Sequence, residues 1–244
     1  MKRQDVLDSS AMPLATPSYG RPPFRLSGRA ALTVDYGTDA AMLRDALPEP
    51  LEPAGARVSV SFIDVSESPF GAYCACAISL AATLSGRPVQ YCHALYVDQP
   101  GPIFAGREVW GLPATPGAPE LILGENRVAG VLEFGYGAQL RASIPVAEPA
   151  QAAVPEPARA ACKLIPGVEG SPAVAQLITV QPAQVTVKQC WRGAARLEID
   201  PDSPANMLPI LDVQSGQYVL GDMSLPYGKV AYDYLAAKAA GSDR

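Results

Sequence analysis

Few side chains in this sequence could carry acid–base or nucleophilic chemistry. The chain has one histidine, His93, which follows Cys92 directly. A Ser-His-Asp or Cys-His site would have to use this histidine, and no Gly-x-Ser-x-Gly segment supports a serine nucleophile. A hydrogen-bonded histidine on a strand is therefore the simpler interpretation of His93.

Three of the five cysteines form a second candidate group. Cys74 and Cys76 are two positions apart, so on a strand their thiols point to the same face. Together with Cys92 and His93 they could in principle hold a zinc ion. Their spacing matches no common zinc motif, so we interpret them as reduced, mostly buried thiols and expect no metal. The odd number of cysteines also argues against a disulfide framework.

Arg107 and Glu108 form a charged pair shortly before a Gly/Pro turn. If residues 102–110 are a strand, the two side chains point to opposite faces, and Glu108 shares its face with Trp110. One of the pair then points toward a cavity or toward a buried ion-pair partner. A purely structural salt bridge is the alternative.

Composition excludes several classes of protein. The 244 residues carry a net charge of −5 with no basic stripe, so a nucleic-acid partner is not expected. No apolar run is long enough to span a membrane, and the basic start at Lys2 and Arg3 lacks the apolar stretch of a signal peptide. Glycine-rich phosphate loops are missing, and we expect no cofactor. These features together predict a cytoplasmic protein.

The hydrophobic pattern predicts a mostly β protein of the α+β class. Val58, Val60 and Phe62 alternate with small or polar neighbours, which predicts a strand with one small, polar face. Further strands are predicted at 73–84, 90–97, 102–110, 120–123, 127–134, 140–144, 162–165, 175–180, 183–191 and 195–199. Turns are predicted at 124–126 and at 192–193.

The helices are expected near the two ends of one domain that covers residues 1–244. Thr38 is the predicted N-cap of a helix over 40–47 that Pro48 ends, and a second helix is predicted over 229–240. Residues 1–28 are rich in Pro and Gly and are expected to wrap over the core as an arm. The Ala/Pro-rich residues 145–161 are expected to form a connector with some helix.

Several motifs occur in a fixed order along nearly the whole chain. They are Tyr36-x-Thr38-Asp39, Pro48-Glu49-Pro50-Leu51-Glu52, His93 with Tyr96 and Asp98, Gly106-Arg107-Glu108, Lys163-x-Ile165-Pro166, Gly170-Ser171-Pro172 and Tyr232-Asp233-Tyr234-Leu235. In this order they resemble the acetoacetate decarboxylase family. The resemblance implies a cone-shaped, open β-barrel with a few peripheral helices that assembles into a homo-oligomer.

The reactive residues of that family are replaced in this chain. Family decarboxylases place two consecutive lysines after the proline that follows the Gly-Arg-Glu motif, and the first forms a Schiff base with the keto acid. Acetoacetate decarboxylase is a known example of a lysine activated by a cationic neighbour. Here the two positions hold Ala114 and Thr115. The two pocket glutamates of the family fall at Ser61 and at Ala75 or Cys76.

Arg29 is the polar pocket residue of the family that this chain retains. We expect Arg29 to bind a carboxylate or enolate oxygen, and Glu108 to act as general acid or base. The small side chains at the replaced positions enlarge the pocket, and Trp110 and Leu112 are expected to bind substrate as well.

These replacements predict an enzyme whose chemistry does not pass through an imine. We expect a lyase, dehydratase, cyclase or isomerase that stabilises the enolate of a keto acid or polyketide-like compound, as in secondary metabolism. One alternative is a non-catalytic ligand-binding or scaffold protein. A second alternative is a decarboxylase that uses a relocated lysine, such as Lys163 or Lys188.

Overall fold

The computed structural model describes residues 1–134, 137, 139–146, 148–151 and 156–236. The helices are α1 (Arg3–Leu7), α2 (Ala40–Ala46) and α3 (Pro100–Ala105), and a π-helical turn (Gly106–Trp110) continues α3. The strands are β1 (Phe24–Gly37), β2 (Glu52–Glu67), β3 (Tyr73–Leu84), β4 (Arg87–Val97), β5 (Ala114–Pro116), β6 (Ala118–Leu123), β7 (Arg127–Glu133), β8 (Gln139–Pro145), β9 (Glu148–Pro149), β10 (Ala158–Pro166), β11 (Pro172–Val180), β12 (Ala183–Ala194), β13 (Arg196–Ile199), β14 (Asp212–Leu225) and β15 (Lys229–Asp233).

The strands form two sheets. The larger sheet has the order β15-β11-β10-β4-β3-β2-β1-β14-β12-β9, with β5 also paired to β4. The smaller sheet has the order β13-β8-β7-β6. The pairs β10–β4 and β4–β5 are parallel. The larger sheet curls without closing, so the predicted mostly β fold, an open barrel with peripheral helices, is confirmed.

The main core lies between the two sheets. Alternate residues of the large sheet, among them Leu32, Val60 and Phe62, are fully buried against Leu132 and Ile144 of the small sheet. The small sheet comes so close at Gly130 that an added Cβ would overlap the Phe62 ring. Because strand side chains alternate in direction, the other face of β1, β2 and β3 is free to line a cavity.

Several sequence predictions agree with these elements. β3 has the bounds predicted for it, and β6 and β7 form the predicted hairpin, in which the Gly124 amide donates to the Arg127 carbonyl at 2.9 Å. The small, polar face predicted for β2 contains Ser59, Ser61 and Ile63, which line the cavity.

The strand predicted over 102–110 is wrong, because this segment is α3 and the π-helical turn. Pro100 occupies the first helical position, where its missing N–H costs nothing. Gly111 ends the turn with φ 72°, a left-handed conformation that suits glycine. Arg107 and Glu108 therefore do not alternate across a strand.

Two predictions near the C-terminus also need correction. The helix predicted over 229–240 is wrong at its first five residues. They form β15, which pairs with β11 at the edge of the large sheet. Residues 234–236 are helical, and the remainder of the predicted helix lies outside the described residues. The turn predicted at 192–193 is wrong as well, because β12 continues to Ala194 beside β14.

Asp39, and not Thr38, caps α2. The Asp39 Oδ1 atom accepts hydrogen bonds from the amides of Ala41 and Met42, both at 2.9 Å. Thr38 Oγ1 is buried without a hydrogen-bond partner among the described residues. A carboxylate placed one residue closer to the helix satisfies the free amides of the first turn better than the threonine can.

The arm and the connector are more regular than the sequence suggested. The arm range 1–28 contains α1 and the start of β1. The connector range 145–161 contains β9 and the start of β10, and the helix expected there is wrong for its described residues. Residues 147 and 152–155 of the connector lie outside the described residues. In the described part of the chain, no helix has the length and hydrophobicity needed to cross a membrane.

Candidate functional site

A cavity of about 300 Å³ lies on the face of β1–β4 that points away from the core. This volume is at the lower end of the range for small-molecule sites, roughly 300–1,000 Å³. β1 contributes Arg29, Ala31, Thr33 and Asp35 to the wall, at every second position. Arg29 and Asp35 are six residues apart, so their Cα atoms are separated by roughly 20 Å at about 3.3 Å per residue.

Two arginines and a glutamate form an ion cluster in the cavity wall. Glu156 lies 3.7 Å from Arg29 Nη1 through Oε1 and 3.2 Å from Arg159 Nη2 through Oε2. Arg29 is 9% exposed. We call Arg29 and Arg159 the arginine pair. Two guanidinium charges and one carboxylate leave the cluster with one net positive charge.

The electrostatics of this cluster favour an ionised Glu156. Burial lowers the pKa of Arg29, while Glu156 opposes that shift. Burial also raises the pKa of Glu156, but Arg159 and Arg29 outweigh it and bring the net pKa below its usual value. Burial raises the pKa of the nearby Tyr73 to about 12, although the arginine pair acts in the opposite direction. The cluster is therefore a fixed cationic surface that favours an anion.

Hydroxyl and carboxylate groups line another part of the cavity. Ser59 Oγ donates to Asp35 Oδ1 at 2.6 Å, and the hydroxyls of Thr33 and Ser61 share a hydrogen bond of 2.9 Å. Antiparallel pairing sets both contacts, because Asp35 faces Ser59 and Thr33 faces Ser61 across β1 and β2. Gln90 of β4 also lines the cavity.

Of the residues predicted to form the site, Arg29, Ser61 and Leu112 line this cavity. Arg29 sits near the start of β1, Ser61 in the middle of β2, and Leu112 follows the π-helical turn. The structure thus brings together residues that are up to 83 positions apart in the sequence.

The small residues that were expected to enlarge the pocket lie beside the cavity. Ala75 and Ala114 pack together in a small apolar cluster that includes Ile63 and Leu95, and these last two residues also line the cavity. Thr115 is exposed, and its hydroxyl donates to the Leu95 carbonyl at 3.3 Å. The wall between the arginine pair and the hydroxyl groups is therefore apolar at this point.

Cys76 does not line the cavity, in contrast to its predicted substrate-binding role. It points into the main core from the opposite face of β3, because Ala75 next to it points the other way. Cys92 does line the cavity, and burial raises the pKa of its thiol to about 12. Cys76 and Cys92 thus lie on opposite faces of the large sheet and do not converge on one metal position.

Glu108 and Trp110 also lie away from the cavity lining. Tyr19 Oη of the arm donates to Glu108 Oε2 at 2.6 Å. Trp110 is buried against Phe24, and its Nε1 donates to the Pro226 carbonyl at 2.9 Å. Glu108 therefore holds the arm against the π-helical turn. Its side chain does not line the cavity in which it was predicted to act as general acid or base.

No lysine lies among the described residues that line the cavity. The backbone of Lys163 packs against Gly111, and burial lowers the pKa of its amine while Glu108 opposes the shift. Lys188 is paired with Asp222 at 2.9 Å and is half exposed. Both lysines considered for a relocated site therefore lie outside the cavity wall.

Sequence reasoning missed Glu156, Arg159, Asp35 and Gln90. Asp35 had a usable signal, because Arg29, Thr33 and Asp35 share the alternation of one strand face. Glu156 and Arg159 lie in the Ala/Pro-rich connector, where no periodicity indicates a direction. The parallel pairing of β10 with β4 brings them to the cavity.

The open barrel and its arginine-bearing cavity define a protein of the acetoacetate decarboxylase class. Residues 11–235 match the family model of acetoacetate decarboxylase (ADC). An acetoacetate decarboxylase of Chromobacterium violaceum is 33% identical over 251 residues, which cover 96% of this chain and 99% of the relative. The chain belongs to the acetoacetate decarboxylase family.

Solved structures agree with this assignment. A solved acetoacetate decarboxylase superposes with a TM-score of 0.90 at 28% identity, covering 96% of this chain and all of the other. The acetoacetate decarboxylase of Legionella pneumophila has a TM-score of 0.87 at 30% identity, covering 94% of this chain and 96% of the other. The similarity extends over the whole open barrel.

Proposed function

We propose that this protein is an acetoacetate decarboxylase-like enzyme that stabilises the enolate of a keto acid or polyketide-like compound without forming an imine. The enolate is then the intermediate of a lyase, dehydratase, cyclase or isomerase reaction. The observation that carries the proposal is the arginine pair, held around Glu156 in the wall of a cavity whose described lining contains no lysine.

The arginine pair supports binding of an anion. Its cluster has one net positive charge and is largely removed from water, where charge-assisted hydrogen bonds are strong. A guanidinium offers a planar set of donors that matches a carboxylate or an enolate oxygen. Arg29 is fixed by burial and by Glu156, so little reorganisation is needed when charge develops on the substrate.

The replacement of the lysine positions supports a mechanism without an imine. Ala114 and Thr115 stand where the family resemblance places the Schiff-base lysine and its neighbour, and neither carries an amine. An electron pair released next to a carbonyl must then move onto the carbonyl oxygen as an enolate. One well-placed donor contributes roughly 3–4 kcal/mol to such a transition state.

Glu156 is the carboxylate best placed to move the proton. It lines the cavity beside the arginine pair, and its lowered pKa keeps it ionised near neutral pH. In the proposed step Glu156 accepts a proton from the carbon next to the carbonyl, and the C–H electron pair becomes the enolate that Arg29 binds. Return of the proton or loss of a leaving group completes the reaction.

Deuterium exchange tests this proposal without knowledge of the final product. The protein is incubated in D₂O with 4-oxopentanoate or 4-oxo-4-phenylbutanoate, and NMR follows deuterium at the carbons next to the ketone. We expect exchange above the buffer rate, and Arg29→Leu should slow it roughly 100-fold or more. Arg127→Ala, which removes an exposed arginine on β7, should leave the rate unchanged.

The same samples separate the alternatives. Borohydride treatment followed by mass spectrometry should give no reduced adduct, and an adduct on a lysine would overturn the absence of an imine. Release of CO₂ from acetoacetate together with such an adduct would establish the relocated-lysine decarboxylase. Saturable binding of both ketones without exchange or product would establish a ligand-binding protein instead.

A further inference from the structure

The enolate chemistry leaves one polar part of the cavity unused. Asp35 lies roughly 20 Å along β1 from Arg29, in a row of paired residues that continues through Ser59 and Ser79 to Cys92. We propose that Asp35 is the centre of a second subsite, which binds a hydroxyl or ammonium group at the far end of an extended keto acid. This inference rests on the proposed function and names its substrate class.

Asp35 has unused capacity to accept hydrogen bonds. Among the described residues, the Ser59 hydroxyl donates a hydrogen bond to Asp35 Oδ1. No described cation lies within ion-pair distance of its carboxylate. An ionised carboxylate can accept several hydrogen bonds and offers no donor, so a ligand group that satisfies it must donate.

Gln90 provides a second, independent acceptor. Its Oε1 atom is buried and has no hydrogen-bond partner among the described residues. Gln90 lines the same cavity two residues before Cys92 on β4, and its Cα pairs with that of Arg159 on β10. A buried acceptor without a hydrogen-bond partner carries an unfavourable desolvation free energy. A donor on the ligand would remove that penalty.

The separation of Arg29 from Asp35 along β1 sets the shape of the substrate. Between these two residues the wall is apolar at Ala31, Ile63 and Val219 and also carries the Thr33–Ser61 hydroxyl pair. A four-carbon keto acid held at Arg29 is too short to reach Asp35. The matching substrate has an anionic keto-acid head, an apolar middle and a hydroxyl or amino group at its far end.

Three chain-matched ligands test the subsite by calorimetry. They are 4-oxodecanoate, 10-hydroxy-4-oxodecanoate and 10-amino-4-oxodecanoate, which differ at the far end alone. We expect the hydroxy and amino compounds to bind at least tenfold more tightly than 4-oxodecanoate. Asp35→Asn should reduce the advantage of the amino compound to less than threefold. Asp45→Asn, the same change on the exposed face of α2, should preserve it.

Further variants keep the test independent of folding. Gln90→Leu should also reduce the advantage of both polar compounds, and Arg29→Leu should weaken all three ligands by the same factor. Equal binding of the three ligands by the unaltered protein, or an advantage that survives Asp35→Asn, would overturn the subsite. If the protein catalyses deuterium exchange but binds the three ligands equally, the proposed subsite is wrong and the enolate chemistry stands. If the hydroxy and amino ligands bind more tightly but no deuterium exchange occurs, the enolate chemistry is wrong and the subsite stands.

Discussion

Glu156 links the electrostatics of the cavity to the stability of the fold. Its pKa is lowered in the folded protein by Arg159 and Arg29, against the opposing effect of burial, from a reference value of 4.5. A carboxyl with a depressed folded pKa contributes stability above its unfolded pKa, and that contribution is lost as the pH falls through the folded value. Acid should therefore weaken the protein partly through this one group.

We predict that Glu156→Gln lowers the free energy of unfolding at pH 7, because Arg29 then stays buried without its carboxylate partner. The difference from the unaltered protein should shrink between pH 5 and pH 3, as Glu156 itself becomes protonated. Urea unfolding at pH 7, 5, 4 and 3 measures this change. Glu169→Gln, at an exposed position, is the matched control, and a constant gap for Glu156→Gln would contradict the prediction.

The site was only partly predictable at the level of single residues. Arg29 and Ser61 were predicted because the family resemblance places pocket residues at both positions, and both line the cavity. The expectation that Glu108 or Arg107 points toward a cavity assumed a strand over 102–110; this segment is helical, and Glu108 accepts a hydrogen bond from Tyr19. Glu156 was missed because its place in the cavity depends on long-range strand pairing, which local sequence does not encode.

The π-helical turn is the element that most depends on one residue. Gly111 ends it with φ 72°, and an added Cβ there would overlap the backbone of Lys163 on β10. The turn and β10 therefore lie in contact because position 111 has no side chain. Leu112, the next residue, lines the cavity.

We predict that Gly111→Ala destabilises the protein by about 2–5 kcal/mol, from about 1–2 kcal/mol for left-handed backbone and about 1–3 kcal/mol for the overlap. Gly86→Ala is the matched control, because Gly86 has φ 76° and open space around it. That variant should lose about 1–2 kcal/mol. Chemical denaturation measures both variants, and equal losses would show that the contact with Lys163 is not important.

Element prediction succeeded for β3 and the β6–β7 hairpin, but it missed the two 14-residue strands β1 and β14 as well as the short elements α3 and β15. β3 and the β6–β7 hairpin combine clear alternation with a turn, so their pattern is unambiguous. α3 has six residues and β15 has five, too few for a period of 2 to be separated from one of 3.6. β15 is also an edge strand, so its strand state depends on pairing with β11.

At the scale of the whole molecule, the two sheets are joined by close contact at Gly130. Phe62 is fully buried against it, so its ring has no free space to move into. The small sheet therefore fits the large one through a glycine on one side and an aromatic ring on the other.

We predict that Gly130→Ala lowers the stability of the whole protein by about 1–3 kcal/mol through overpacking. Adding Phe62→Leu should recover part of that loss, because the smaller side chain makes room for the new methyl group. Thermal unfolding of the two single variants and the double variant measures this coupling. Strictly additive losses would show that the two positions are not in energetic contact.

The alternation of side chains in β1 and β2 separates two evolutionary constraints. One set of alternate positions must keep the sheets together, and the other set faces the cavity. Mutation can therefore change a group that faces the cavity without disturbing the residues that the fold needs. A barrel of this kind can acquire new reactions one strand position at a time, which makes it a suitable scaffold for the directed evolution of carbonyl chemistry.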